Sequence, residues 1–389
     1  MESSPLASEP QQRRKPKMAA TSAPLPSTST LTSSSSSSSS SSFRRGSPYL
    51  PTARETLLLS IFPVLLLFGT LFRLLSPQTR GAAVATAPST AHYDQTPGLA
   101  PSYFARKDNV LNVFFVKRGW FWITVTFGAF VGTHPFFANA ASEATTARRT
   151  SLLGRRGAAV LRWGLVTGWW FLVTQWFFGP ALIDRNYRLT GGGCQAVVQA
   201  AAAAAVEEGD MGKETKDVSR LLLAATASAC KHAGGQWRGG HDISGHVFLL
   251  VLGTTFLAQE IGWVLWRRAA AAGVSSLSSQ GRGRVADARS LVMPDGAVKS
   301  AEVEAELSTG TVSSSAEAEA ASPASRLALR FAAVVVGLSL WMLLMTAIYF
   351  HTWFEKLTGL LVALTGFYSV YVLPRWVPGL RRVVGLPGL

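Results

Sequence analysis

Charged residues, and acidic residues above all, are scarce in this sequence. Only 22 residues are Asp or Glu against 37 Lys or Arg, which gives a formal net charge of +15, and charged residues of both signs make up 15% of the chain. The basic residues cluster at the ends of apolar segments, a pattern typical of membrane proteins that positive charge orients. No polar segment interleaves basic and aromatic residues as nucleic-acid-binding domains do, so we expect no nucleic-acid partner.

Metal-binding and nucleotide-binding motifs are missing as well. The sequence contains no H-E-x-x-H, no paired C-x-x-C and no glycine pattern of a phosphate-binding or dinucleotide-binding loop. We therefore expect no bound metal and no cofactor. Histidines and carboxylates do occur together, however, so a zinc site stays open as an alternative to phosphate chemistry.

Long apolar segments are abundant, since 48% of the residues are hydrophobic. A helix needs about 20 apolar residues to cross a bilayer. This length predicts an all-α, polytopic membrane protein with about six transmembrane helices, five or seven being the alternatives. The predicted spans are residues 56–75, 120–137, 158–178, 247–266, 331–350 and 357–373.

Two polar, low-complexity segments separate or precede these spans. The N-terminal one includes ten consecutive serines and cannot bury a core, so it is predicted to be a disordered leader, after which the first span acts as a signal anchor. The second, rich in Ala, Ser, Glu and Gly, is predicted to be a disordered loop. The predicted order is a cytosolic leader at 1–54, helices 1–4 within 55–268 with a lumenal loop at 181–245, a cytosolic loop at 269–325, helices 5–6 within 326–374 and a cytosolic tail at 375–389.

The distribution of Lys and Arg orients the spans. With six spans, the basic residues of the leader, of the loops after the second and fourth spans and of the tail all fall on one side, which places both termini in the cytosol. The loop between the first two spans does not fit, because it is predicted to be lumenal and yet is basic. Its basic residues are Arg80, Arg106, Lys107, Lys117 and Arg118.

Two histidines are predicted to meet at the lumenal ends of the helices. His246 precedes the fourth span and His351 follows the fifth, and each has a carboxylate four positions away, Asp242 and Glu355. On a helix this spacing puts the two side chains on one face. A carboxylate that accepts a hydrogen bond from Nδ1–H raises the basicity of Nε2, so His351 is a candidate nucleophile or base. Asp242 has a second interpretation as the cap of a helix that begins near Ser244.

The glycine-rich segment GGQWRGGHDISGH, residues 234–246, leads into the fourth span. Its glycines allow close backbone approach, the helix start presents N–H groups, and Arg238 adds a fixed charge, so the segment is a candidate anion site. A plain flexible loop explains the glycines equally well. Taken together with the two histidines, the segment favours phosphate chemistry.

The segments GGHDISGHVFLL and YFHTWFEKLTG resemble the fat storage-inducing transmembrane (FIT) family, and YFARKDNVLNVFFVKRGWFW and WFFGPALIDR resemble its fungal branch. The resemblance extends over residues 56–373 apart from the low-complexity loop. It implies a six-span protein of the endoplasmic reticulum that is distantly similar to lipid phosphate phosphatases. It also implies cleavage of the diphosphate of fatty acyl-CoA to acyl 4′-phosphopantetheine and adenosine 3′,5′-bisphosphate, in support of lipid droplet formation and phospholipid balance.

The resemblance also implies residue roles. Ser244-Gly245-His246 matches the S-G-H signature of lipid phosphatases, and His351 with Glu355 matches their H-x-x-x-D signature with Glu in place of Asp. By this likeness His351 attacks phosphorus, Glu355 orients it, and His246 protonates the leaving group. The Ser-Arg pair and the Lys/Arg-Pro signature of those enzymes are absent. The expected substrate-binding residues are Ser244, Gly245, Asp242, Arg238 and Lys356, with Arg188 as a further hypothesis.

A non-catalytic protein that binds diacylglycerol or triacylglycerol and partitions lipid into droplets is the alternative function. A transporter is disfavoured, because no internal repeat is evident. Glu260, the main charge within a span, is interpreted as a boundary or helix-pairing residue rather than as part of a relay.

The sequence contains only two cysteines, Cys194 and Cys230. Both fall in the predicted lumenal loop. An oxidising compartment favours a disulfide between them over two free thiols.

Overall fold

The computed structural model describes residues 47–77, 79, 102–138, 154–175, 180–194, 226–232, 237–276, 289–300 and 322–388. The predicted disorder of the leader lies outside these residues except at 47–54. Most of the predicted cytosolic loop at 269–325 lies outside them as well.

Helices form most of the described part of the chain. The segment before α2 contains a 3-10 turn, Tyr103–Ala105, and a π-helix, Leu111–Val116. A second π-helix, Tyr368–Val372, continues α9. The α-helices are α1 (Ala53–Leu75), α2 (Gly119–Thr133), α3 (Pro135–Ala138), α4 (Arg155–Thr174), α5 (Leu182–Leu189), α6 (Ala227–His232), α7 (Gly245–Ser276), α8 (Pro323–Tyr349), α9 (Trp353–Phe367), α10 (Leu373–Trp376) and α11 (Pro378–Val384).

Two short antiparallel hairpins complete the described elements. Strand β1 (Gly193–Cys194) pairs with β2 (Trp237–Arg238), in the register Gly193 to Arg238. Strand β3 (Ser290–Val292) pairs with β4 (Val298–Ser300), in the register Ser290 to Ser300. Neither hairpin belongs to a membrane span.

Four of the predicted spans are helices long and apolar enough to cross a membrane: Ala53–Leu75, Gly245–Leu265, Pro323–Tyr349 and Trp353–Trp376. The predicted second span is the shorter apolar helix α2, of 15 residues. The predicted third span is α4, of 20 residues, which carries three arginines, and its last predicted residues lie outside the described part. The predicted all-α, polytopic class is confirmed, and the chain is a multi-pass membrane protein.

Helix α7 lies at the centre of the bundle, where it packs against α2, α4, α8 and α9. In the apolar part of α7, Gly245–Leu265, 78% of an 18-residue stretch is buried inside the protein. Gly253 allows α2 to come close, because a Cβ at this position would lie 1.9 Å from Cδ1 of Ile123. Small residues at such crossings let helix backbones approach in membranes. The start of α7, which carries His246, is therefore held by several neighbours.

Buried ion pairs join the helices away from the start of α7. Arg162 of α4 donates two hydrogen bonds to Glu260 of α7, at 2.6 and 2.8 Å, and the Tyr371 hydroxyl donates to the same carboxylate at 2.9 Å. Glu55 of α1 pairs with Arg375 of α10, at 2.8 Å for one of the two bonds. Charges this deep are retained only when partners compensate their desolvation. The interpretation of Glu260 as a helix-pairing residue is confirmed.

The prediction of disorder throughout residues 269–325 is wrong where the structure describes them. Helices α7 and α8 extend into this segment from both sides, and β3 and β4 form a hairpin within it. The hairpin buries Leu291 against Leu386 of the chain end, and Arg381 of α11 donates to the Val292 carbonyl at 2.9 Å. The hairpin could not be predicted from composition, because it depends on one buried leucine and one tight turn. In that turn Gly296 has a φ of +79°, which glycine adopts readily.

Replacing Glu260 by Leu should destabilise the fold strongly, because it leaves the Arg162 guanidinium buried without its carboxylate. A loss of roughly 3–5 kcal/mol is expected for one broken partner, measured as a lower apparent unfolding temperature in detergent. The double variant Arg162→Met/Glu260→Leu should recover most of the loss, since no unpaired charge remains. A double variant no more stable than Glu260→Leu alone would contradict this ion-pair account.

Candidate active site

The starts of α7 and α9 lie side by side and bring the two histidine motifs together. The Ser244 amide donates a hydrogen bond to the Glu355 carbonyl at 3.1 Å. Gly359 permits this approach, because a Cβ there would lie 2.8 Å from the Ser244 carbonyl oxygen. The rings of His246 and His351 consequently have centroids 6.3 Å apart. The structure therefore places the two histidines side by side, and their catalytic roles stay a prediction.

His351 is hydrogen-bonded to Glu355 in the predicted pair. Its Nδ1 lies 3.2 Å from Oε2 of Glu355, and the same oxygen accepts the Thr352 amide at 2.9 Å. Thr352 in turn accepts the Glu355 amide, so the carboxylate belongs to the capping box that starts α9. Glu355 is thereby fixed in position, with a side chain only 3% exposed. With Nδ1–H donating to the carboxylate, Nε2 of His351 carries the lone pair.

The backbone of His351 has an unusual conformation. Its φ of +60° is the one positive value among the described non-glycine residues. Such a conformation costs roughly 1–3 kcal/mol and persists only where neighbours impose it. Arg73 of α1 does so by donating from Nη1 to the His351 carbonyl at 3.0 Å, while the capping box fixes the residues that follow. Strain of this kind is concentrated at functional sites.

His246 is oriented by an asparagine that the sequence analysis missed. Its Nε2 lies 2.8 Å from Oδ1 of Asn112. The Asn112 amide group is itself fixed, because Nδ2 donates to the Lys107 carbonyl at 2.8 Å. Oδ1 therefore faces His246 as an acceptor, so Nε2 is the protonated nitrogen and Nδ1 is the one available for proton exchange. An amide within an apolar run, LNVFFV, was the only signal.

Asp242 neither pairs with His246 nor caps α7, so both predicted interpretations of this residue are wrong. It makes no described hydrogen bond to His246, and Ser244 caps α7 instead, with its Oγ accepting the Val247 amide at 3.3 Å. The Asp242 carboxylate lines the active-site cavity, and its Oδ1 is buried with no hydrogen-bond partner in the described part of the chain. Burial raises the pKa of this carboxyl from 3.8 to about 6, while His351 lowers it and Glu355 raises it.

The two histidines open onto one cavity of about 350 Å³, a volume within the range of ligand pockets. Ile183, Ile243 and Phe350 form apolar parts of its wall. Polar parts come from three stretches of the chain: the segment before α2, the start of α7 and the turn before α9. These polar and glycine residues are Lys107, Asn112, Lys117, Asp242, Gly245, His246, His351 and Glu355. Within the described ranges, no group of three or more His, Cys, Asp or Glu side chains could hold a metal ion.

Of the predicted phosphate-binding residues, Lys356 and Arg188 lie outside the cavity wall. The Lys356 ammonium is buried between helices, where it donates to Thr70 Oγ1 at 2.9 Å and to the Ala347 carbonyl at 2.7 Å. Arg188 is exposed on α5 and is not part of the cavity wall. For Arg238 only the backbone, in β2, is described.

Of two further residues in the predicted substrate site, Ser244 and Gly245, one lines the cavity and the other does not. Ser244 is fully buried and acts as the helix cap, whereas Gly245 does line the cavity.

The glycine-rich segment is held by a small clip on the same side as the histidines. Cys194 and Cys230 form the predicted disulfide, with Cα atoms 5.6 Å apart. Thr190 accepts the His241 amide at 2.8 Å. Gly240 packs on α5, where a Cβ would lie 2.2 Å from the Tyr187 carbonyl. This glycine therefore serves close packing that fixes the chain before α7.

The fold and the site define a class: a multi-pass helical membrane protein in which a histidine–carboxylate pair and a second histidine face one cavity. A family model described as fat storage-inducing transmembrane protein matches residues 100–371. The chain belongs to this family, which confirms the resemblance seen in the histidine motifs.

Two named relatives are similar to the chain. Acyl-coenzyme A diphosphatase fit1 of Schizosaccharomyces pombe is 28% identical over 285 residues, which cover 73% of this chain and 78% of that protein. Acyl-coenzyme A diphosphatase SCS3 of Saccharomyces cerevisiae is 52% identical over 46 residues, 12% of each chain. No solved structure matches the chain.

Replacing Asp242 by Asn should raise stability in a pH-dependent way. Folding raises the pKa of Asp242 from 3.8 to about 6, so the folded protein binds this proton more tightly than the unfolded chain, and wild-type stability falls as pH rises through that interval. Asparagine cannot ionise. The apparent unfolding temperature of Asp242→Asn should exceed that of the wild type above about pH 6 and converge with it as pH falls toward 3.8. A difference that does not vary with pH would show that Asp242 is not held in this environment.

Proposed function

We propose that this protein is a hydrolase that cleaves the diphosphate of fatty acyl-CoA to acyl 4′-phosphopantetheine and adenosine 3′,5′-bisphosphate. The observation that carries the proposal is the His351–Glu355 pair, 3.2 Å apart, which shares one cavity with His246. A nucleophile held by an orienting carboxylate beside a second acid–base group is an arrangement for covalent catalysis. The names of the two relatives, both acyl-coenzyme A diphosphatases, suggest the substrate class.

In the first step, the Nε2 lone pair of His351 attacks one phosphorus of the diphosphate. A P–N bond forms and the P–O bond to the bridging oxygen breaks, so that the second phosphate leaves with its half of the substrate. Protonated His246 gives its proton from Nδ1 to the leaving oxygen, since its Nε2–H is engaged by Asn112. Glu355 stabilises the positive charge that develops on His351 through the Nδ1–H bond.

In the second step, water attacks the phosphorus of the histidine adduct. Neutral His246 accepts a proton from this water at Nδ1, and the P–N bond breaks with its electron pair returning to Nε2 of His351. The second phosphate monoester is released, and His246 is protonated again for the next cycle. Over the two steps, His351 forms and then breaks one P–N bond, and His246 gives and then regains one proton. Water is the only further reactant.

The site is proposed to face the lumen of the endoplasmic reticulum, with both termini in the cytosol. The disulfide between Cys194 and Cys230, in the segment that leads into α7, supports this side because disulfides persist in oxidising compartments. The cavity lies at the mouths of membrane-spanning helices and has an apolar wall. An acyl chain therefore stays in the bilayer, among membrane lipids, while its diphosphate reaches the histidines. In this place the reaction would support lipid droplet formation and phospholipid homeostasis.

Replacing His351 by Ala should remove nearly all acyl-CoA cleavage, because no nucleophile remains. His246→Ala should also be severe, and the double variant should be little worse than the poorer single variant, since residues that act as a unit are not additive. Glu355→Gln should cost roughly ten- to a hundredfold, the usual effect of losing an orienting partner. Cleavage of oleoyl-CoA by purified protein, followed by mass spectrometry, measures these losses at matched protein abundance.

The matched control is His232→Ala, since His232 is exposed on α6 and outside the cavity wall. It should keep wild-type turnover. Wild-type cleavage by His351→Ala would refute the assignment of catalysis to this site. If cleavage is lost while the lipid droplet number in the same cells stays normal, the lipid-binding alternative becomes the better account of the cellular role.

A further inference from the structure

The loop between α1 and α2 is the one basic segment that contradicts the charge-based orientation of the chain. Two of its residues, Lys107 and Lys117, line the active-site cavity. They are the only lysines or arginines on this wall in the part of the chain that the structure describes. Basic residues are disfavoured in loops on the proposed lumenal side. We therefore expect the positive charge of this loop to have a function other than orienting the chain.

Both lysines are connected through the backbone to the residue that orients His246. The Lys107 carbonyl accepts Nδ2 of Asn112 at 2.8 Å, and the Lys117 amide donates to the Asn112 carbonyl at 2.9 Å. The second bond closes the π-helix Leu111–Val116, in which a residue bonds to the one five positions earlier. Such π-helical turns occur frequently at functional sites. One local structure thus brings two lysines and the partner of His246 to the wall of the same cavity.

The charges around the cavity are divided between its walls. Asp242 and Glu355 supply carboxylates beside His351, and these repel a phosphate unless cations balance them. Lys356 is not available for this, because its ammonium is bound to Thr70 and Ala347. Lysine ammonium groups bind phosphate as point charges. Lys107 and Lys117 are exposed residues of the cavity wall.

From this arrangement we infer that Lys107 and Lys117 form a diphosphate clamp, in which the two ammonium groups hold the two linked phosphates while the histidines act on the bond between them. The inference rests on the proposed function and assigns the residues that hold the diphosphate of its substrate. Asn112 couples the clamp to catalysis, because the same loop that binds the diphosphate sets the ring orientation of His246.

The test compares four full-length variants that each remove one positive charge. Lys107→Gln and Lys117→Gln alter the clamp. Arg106→Gln and Arg118→Gln are neighbours in sequence outside the cavity wall: Arg106 pairs with Asp108 at 3.3 Å, and Arg118 lies over the Phe114 ring at 5.8 Å. All four change the net charge equally. A difference between the lysine variants and the arginine variants therefore reflects the position of the lost charge and not the change in net charge.

Each lysine variant should raise the KM for oleoyl-CoA and the inhibition constant of inorganic pyrophosphate about tenfold, the size expected for losing one charged contact. The value of kcat should change less, because the nucleophile and the acid remain. The arginine variants should stay within about twofold of the wild type in both constants. Inorganic phosphate, which offers one phosphate group to the clamp, should inhibit the wild type more weakly than pyrophosphate.

Lysine variants indistinguishable from the arginine variants would overturn the clamp while the proposed function stands. A wild-type protein that does not cleave oleoyl-CoA would instead overturn the proposed function, and calorimetric titration with pyrophosphate then decides on the clamp alone. Binding that is lost in the lysine variants and kept in the arginine variants supports it. Equal binding in all variants, or none in the wild type, refutes it.

Discussion

The close approach of α7 and α9 is the contact on which the site depends. Gly359 brings the α9 backbone against Ser244, and the Ser244 amide then bonds to the Glu355 carbonyl at 3.1 Å. This bond joins two motifs from distant parts of the chain, since His246 starts one helix and Glu355 belongs to the first turn of the other. A larger residue at Gly359 would separate the helix starts, and with them the two histidines.

The rest of the bundle holds this contact in place. Helix α7 is surrounded by α2, α4, α8 and α9, and the Arg162–Glu260–Tyr371 cluster fixes α7 to its neighbours further along. On the site's own side, Arg73 holds the strained backbone of His351, and the Cys194–Cys230 clip holds the chain that leads into α7. Catalytic groups need such support, because small displacements of reacting groups are costly.

Much of the site follows from spacing along the sequence. His351 and Glu355 are four residues apart at a helix start, and Thr352 followed by Glu355 is a capping-box pattern, so their pairing is a local property. The shared location of His246 and His351 follows from counting apolar segments. The disulfide follows from the only two cysteines of the sequence falling in one predicted loop.

Other parts of the site depend on tertiary contacts that spacing does not encode. The four-residue rule fails for Asp242 because α7 begins only at Gly245, so Asp242 is not on the helix that carries His246. Lys356 follows Glu355 directly, and one residue turns about 100° around a helix, which points its ammonium at Thr70 rather than into the cavity. Asn112 and the two cavity lysines come from a distant loop, where the basic character of the loop and one amide within an apolar run were the signals.

The most direct test of the account is a search for a covalent phosphorus–histidine adduct after incubation with oleoyl-CoA and an alkaline quench, since such adducts are labile in acid. The His246→Ala variant is the best material, because a phosphate leaves even without a proton donor, while the attack of water on the adduct is slowed. The account predicts an adduct on His351, with the mass of one half of the substrate, that is absent from His351→Ala. Turnover with no adduct on His351, or with an adduct on another residue, would contradict it.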